Sequence, residues 1–164
     1  KEYRRQRQMC IRDRVDIIIS NWLKSPNQSV KILAMKLIRK FQLLQMHDLV
    51  ADNLHVSDEK VVEETIKTLV RIEDDSTSKL LIEQYQTCNE KFQIQILKAL
   101  DKISNPENNT FLETQAKENP SFSVKKASVR ALNNCCSKTD LQKLAHQSNS
   151  PELKQIINQI IQEN

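Results

Sequence analysis

Apolar residues in this chain recur in steps of four and eight, and the steps themselves recur. Five windows align: SVKILAMKLIRKF, KVVEETIKTLVRI, KFQIQILKALDKI, SVKKASVRALNNC and ELKQIINQIIQEN. Each has an apolar residue second (Val30, Val61, Phe92, Val124, Leu153) and another eight positions later (Ile38, Leu69, Leu100, Leu132, Ile161). Midway stand Ala34, Thr65, Ile96, Ser128 and Ile157. Offsets of four and eight lie on one face of a helix. The windows follow one another at 31, 31, 32 and 29 residues.

A second series precedes each window. Ile19, Val50, Leu81, Leu112 and Leu141 recur at 31, 31, 31 and 29, and four residues on come Leu23, Leu54, Tyr85, Ala116 and Ala145. Each unit is therefore expected to hold two amphipathic helices. The first helices are predicted over 16–25, 43–55, 77–87, 109–118 and 139–147, the second over 28–41, 59–73, 90–104, 121–135 and 151–163. Polar breaks separate them and carry Pro26, Pro120 and Pro151 with Asn27, Asp58 and Asn89. Proline stops an incoming helix, and Asn, Asp or Ser caps an outgoing one.

Two short amphipathic helices cannot bury both apolar faces alone, whereas copies stacked side by side bury them in one continuous core. The expected fold is all-α, a superhelical solenoid of about five helix-turn-helix repeats. The stretch NPSFSVKKASVRAL resembles the second-helix pattern of HEAT repeats: proline, then valine, basic, small, basic, small and leucine. SPNQSVKILAMKLI is close to it, two other windows lack the proline, and the last repeat diverges most. The resemblance covers residues 15–164. Tetratricopeptide repeats have a longer period and Trp, Gly and Tyr positions that are not met here.

The ends of the array differ. The last helix keeps a polar face with Lys154, Gln155, Asn158, Gln159 and Gln162, as a terminal helix should. The first presents Ile17, Ile18 and Trp22 beyond what one flank needs. These three mark the expected edge of a truncated array, to which earlier repeats once packed.

Ahead of that edge, the pattern fails. KEYRRQRQMCIRDR has no helical periodicity, and within it RRQRQMCIRD resembles a translated transposase-type sequencing adapter. Residues 1–14 are accordingly set apart as a non-native segment, and residues 15–164 as the repeat domain of a bacterial protein from a metagenomic read. The separation changes the charge. The whole chain has 25 Lys and Arg against 21 Asp and Glu. The first fourteen residues hold six basic and two acidic ones, and the remainder is balanced at nineteen of each sign. An alkaline chain would point toward nucleic acid or an anionic membrane; the balanced remainder does not.

The chain has no glycine. β-Hairpins, Rossmann turns and phosphate-cradling loops lean on it, so its absence argues against these and for helices joined by polar turns. No apolar run approaches the length that spans a bilayer. Beyond the leading segment stand Cys88, Cys135 and Cys136, without the spacing of a zinc or redox motif. The adjacent Cys135 and Cys136 read as thiols at a helix end.

Chemistry is sparse. His47, Asp48, Asp52 and His55 are the nearest approach to a metal-binding set, but a solvated polar face accounts for them better. No nucleophile motif occurs, and no catalytic, cofactor or metal residue is assigned. One column stands out. Lys36, Lys67, Lys98 and Arg130 sit six residues after the apolar anchor in four successive windows. The resemblance implies that second helices line a concave surface, where such a column could meet an acidic partner or phosphates. Glu63, Glu64 and Asp101 beside it dilute the field.

The expected function is a non-enzymatic scaffold that binds another protein, with a cytoplasmic location, no cofactor, no nucleic acid and no membrane contact within residues 15–164, an anchor or signal ahead of residue 15 being left open. The alternatives that the resemblance implies are a nucleic-acid-binding or DNA-alkylation-repair protein and a pigment-lyase-like protein.

Overall fold

A computed structural model describes residues 14–72, 74, 76–103, 105–148 and 150–162. The adapter-like segment, Arg14 apart, lies outside the described residues. All regular structure among the described residues is helical. It comprises α1 (14–23), α2 (Gln28–Phe41), α3 (His47–Ala51), α4 (Glu59–Arg71), α5 (Thr77–Tyr85), α6 (Glu90–Leu100), α7 (Pro106–Glu118), α8 (Phe122–Cys135), α9 (Lys138–Gln147) and α10 (Pro151–Gln162). Short 3-10 turns, Leu44–Met46 and Asp52–His55, flank α3. No described helix is long and apolar enough to cross a membrane. The chain forms two compact units, Lys1–Asp74 and Asp75–Asn164.

Capping explains where the second helices begin. Asn27 accepts from the backbone N–H groups of Ser29 and Val30, Asp58 from Val61, Asn89 from Phe92, Ser121 from Val124 and Ser150 from Leu153. Each of these residues stands three before the apolar anchor of its window. Each satisfies N–H groups that have no partner inside the helix, worth about 1 kcal/mol per cap.

Burial follows the repeat. Ala34, Thr65, Ile96, Ser128 and Ile157 are all fully buried, as are Val50, Leu81 and Leu112 of the preceding series. The two hydroxyls in the first column remain satisfied, because Thr65 Oγ1 donates to the Val61 carbonyl (2.7 Å) and Ser128 Oγ to that of Val124 (3.0 Å). In the fifth repeat the register slips by one. Leu144 and Ile160 take the buried places expected of Ala145 and Ile161, as its spacing of 29 residues suggests.

In the first unit α2 packs against α4, which also receives α3 and the turn Asp52–His55. In the second unit α8 is central: α6, α7, α9 and α10 all pack on it. Side-chain hydrogen bonds inside each unit join residues about one repeat apart. Thr65 donates to Met35, Arg39 to Thr68 and Gln45 to Asp16 in the first. Tyr85 donates to Gln115, Ser121 to Glu90 and Asn134 to Asp101 in the second.

Three predicted helices differ by three residues or more from those observed, and the one predicted over 90–104 ends at Leu100. Residues 43–55 form a 3-10 turn, a short α-helix and another 3-10 turn instead of one helix. Gln42 closes α2 in the left-handed region (φ 52°, ψ 52°), donating its N–H to Ile38 O, and Leu43 is not helical. Buried Asn53 then donates to Leu49 O and accepts from Lys31 Nζ (2.7 Å), a local side-chain bond that competes with the backbone ladder. The helix predicted from residue 109 starts at Pro106. Asn105 caps it through Glu107 N–H, and proline suits the first helical position.

Candidate interaction surface

The repeat geometry turns position six of each second helix outward. Lys36, Lys67, Lys98 and Arg130 are all exposed. Their surroundings differ between the two units.

In the first unit the space beside Lys67 is filled. Arg39 of α2 reaches α4 and pairs with Glu64 (Nη2 to Oε2, 2.6 Å), and its Nη1 donates to Thr68 Oγ1 (3.1 Å) and Glu64 O (3.3 Å). Lys67 is held by Glu63 (2.7 Å) and Glu64 (3.3 Å). Burial opposes ionisation of Glu64, but Arg39 and then Lys67 outweigh it and hold its carboxyl below the usual range. The hydrogen bond to Glu63, against burial and with help from Glu64, holds the Lys67 ammonium above the usual lysine range. The cation of the column is here paired with two carboxylates.

In the second unit Lys98 of α6 and Arg130 of α8 line one cleft of about 420 Å³, together with Ile94, Asp101, Phe122, Ser123, Lys126, Ala127, Ala131 and Asn134. Buried Ala127 and Ala131 and half-exposed Phe122 are among its apolar lining. Asp101, the one acid among these lining residues, accepts from Asn134 Nδ2 (2.9 Å) and Cys135 Sγ (3.6 Å). Neither Lys98 nor Lys126 makes an ion pair among the described residues. Lys36, in the first unit, makes none there either.

Lys126, Phe122 and the two alanines were not singled out by the sequence pattern. The signal for them lies in the register: Ala127 and Ala131 occupy the places of Glu64 and Thr68, and Asp101 that of Arg39. Comparing the repeats by volume as well as by hydrophobicity reveals it.

The other sequence features take structural places. Ile17 and Ile18 are exposed (61% and 48%) and Trp22 is half-buried. His47 is buried, its Nδ1 3.3 Å from Asp48 and 3.2 Å from Asp74. Among the described residues no group of three or more His, Cys, Asp or Glu is arranged to hold a metal. Burial, then the charge of Asp101, pushes the Cys135 thiol up, and burial followed by Glu113 and Asp140 does so for Cys136. A redox thiol requires the opposite shift. No protein-family model and no curated protein matches the sequence.

Proposed function

We propose that residues 15–164 form a HEAT-like α-solenoid of about five repeats, a non-enzymatic scaffold that offers its row of second helices to another protein. The observation that carries this reading is the packing of second helix upon second helix inside each unit, α2 on α4 and α6 on α8 on α10, in the register of the sequence repeat. The side-chain bonds at one-repeat separation support it. So does the cap column, since a repeated cap implies a repeated helix entry. Second helices that adjoin one another present their outward positions as a continuous surface, and surfaces of that kind serve recognition. Fold alone does not assign the role; the balanced charge and the sparse chemistry favour protein binding over catalysis or nucleic acid.

Deletion of one whole period tests the architecture. Removing residues 90–120 joins Asn89 to Ser121, one cap to the next. A solenoid loses one step and keeps a cooperative, helical fold of lower stability, measured by circular dichroism and urea unfolding. A chain wrapped about one central core loses cooperative unfolding, and that result refutes the architecture. The role is tested by titrating a short DNA duplex into the full chain over a range of salt. Tight binding with a steep salt slope would transfer the protein to the nucleic-acid binders.

A further inference from the structure

We propose that the flank of α1 and α2 turned away from α3 and α4 docks an amphipathic helix of another protein, aliphatic along its stripe and acidic along one edge. This deepens the scaffold reading and rests on it.

The register of the second helices carries the inference. Three, seven and eleven residues after the apolar anchor stand the side chains that meet the second helix before. In α4 these are Glu64, Thr68 and Ile72. The first two bond to Arg39 of α2, and Thr68 and Ile72 are fully buried. In α8 they are Ala127, Ala131 and Cys135. Both alanines are buried, and Cys135 donates to Asp101 at the end of α6. In α10, which packs on α8, Ile156 and Ile160 hold the first two places and are buried. In α2 the same places hold Leu33, Leu37 and Phe41. All three are apolar, yet Leu33 is 47% exposed, Phe41 61% exposed and Leu37 half-buried.

The opposite flank of α2 is the one that reaches α4. Met35 accepts from Thr65, and Arg39 donates to Thr68. These two stand two residues on from Leu33 and Leu37, about 200° round the helix. The first helix is built alike. Asp16 accepts from Gln45 and Ser20 donates to Met46, while Ile18 (48% exposed) and half-buried Trp22 stand two residues on from each. The flank of both helices that looks away from the next repeat is therefore an uncovered copy of an interface that other repeats fill with a helix.

Charge specifies the partner. There is no Asp or Glu in α2. Lys36 and Lys40 run along one edge of its stripe and make no ion pair among the described residues; Lys40 Nζ lies 5.6 Å from the Phe41 ring. A second copy set antiparallel against the first would bring these lysine edges together, and like charges repel. Set head to tail, it would offer the exposed Lys154, Gln155 and Asn158 of α10, which are polar. A helix with aliphatic residues at i, i+3 or i+4 and i+7, and carboxylates beside them, answers both the stripe and its edge.

The test is selection of a display library of helix-forming peptides on the full chain. The expected result is enrichment of peptides with an aliphatic stripe at that spacing and Asp or Glu along one edge. Binding of an enriched peptide should fall by about thirtyfold in Leu33→Glu, which sets a carboxylate in an apolar contact. It should fall by about tenfold in Lys36→Glu with Lys40→Glu. Ile17→Glu, an exposed substitution on α1 outside the stripe, should leave it unchanged. Circular dichroism confirms that the variants fold; if Leu33→Glu lowers helicity, Phe41→Ser alone must still weaken binding. No enrichment, enrichment without the stripe or the acids, or peptides indifferent to these changes would overturn the proposal. So would a dimer in analytical ultracentrifugation that Leu33→Glu dissolves, which makes a second copy the occupant. Binding to phosphatidylserine vesicles through the same residues would overturn it as well. Each of these results is separate from the deletion of residues 90–120, by which the scaffold architecture stands or falls.

Discussion

The network that joins α2 to α4 rests on Arg39, so its removal is the most informative perturbation. Arg39 and Glu64 are 23% and 17% exposed, partly withdrawn from water. Arg39→Ala removes an ion pair at 2.6 Å and two guanidinium bonds, to Thr68 and Glu64 O, at 3.1 and 3.3 Å. The partly exposed ion pair is worth about 1 kcal/mol and the two bonds from the charged guanidinium about 1–1.5 kcal/mol each. Freeing the arginine side chain returns up to about 2 kcal/mol of rotamer entropy. The net loss is expected at about 2 kcal/mol, read as a shift in the urea midpoint. In a double-mutant cycle with Glu64→Gln, the coupling should be about 1–1.5 kcal/mol, because Lys67 still holds part of the Glu64 charge. The pH dependence follows from the Glu64 carboxyl, whose folded-state pKa is depressed. Its stabilising contribution is present above the unfolded carboxylate pKa and is lost as pH falls through the folded value. The difference between the wild type and Glu64→Gln should therefore persist at neutral pH and vanish in acid. A coupling below about 0.3 kcal/mol, or a difference that ignores pH, would refute the Arg39–Glu64 pairing.

Tyr85 donates to Gln115 (2.8 Å), accepts from Asn119 (3.0 Å) and meets Phe111 edge-on at 5.1 Å; Tyr85→Phe should cost about 1–2 kcal/mol in chemical denaturation. Burial, then the Cys88 charge, pushes its phenol up to about 12. Stability should accordingly be whole below the ordinary tyrosine pKa and be lost as pH rises toward 12, with one phenolate appearing late in ultraviolet titration. Gln42→Gly should raise stability by about 0.5–1 kcal/mol, since glycine enters the left-handed region without steric cost; an unchanged urea midpoint would mean that no strain resides there. Cys135 and Cys136 should react with iodoacetamide more slowly than free cysteine at neutral pH, and mass spectrometry of the alkylated peptides reads the rate.

Periodicity made the helices and most of their faces legible, because each buried column repeats at a spacing that only a helix satisfies. Capping was legible for the same reason, from Asn27 to Ser121. The break in residues 43–55 was not. Its apolar positions Val50 and Leu54 keep the helical offset, while the interruption comes from the left-handed Gln42 and the bonds of buried Asn53. In a chain without glycine, a left-handed cap leaves no mark on the sequence. The slip in the fifth repeat was half legible. Its shorter spacing could be counted, but whether Ala145 or Leu144 would turn inward depends on packing.

The basic column shows why the candidate surface was harder to read than the fold. Position six marks a cation in four repeats, and sequence treats all four alike. Their chemistry is set by positions three and seven of the same helix and by position nine of the helix before it. Glutamate, threonine and arginine there turn Lys67 into one member of an internal network. Alanine, alanine and aspartate at the same places put Arg130 beside an opening that Lys98 of the preceding second helix also lines. Cations at one register of the sequence thus differ in their surroundings, because the residues packed beneath them differ: Glu64 and Thr68 in α4, Ala127 and Ala131 in α8.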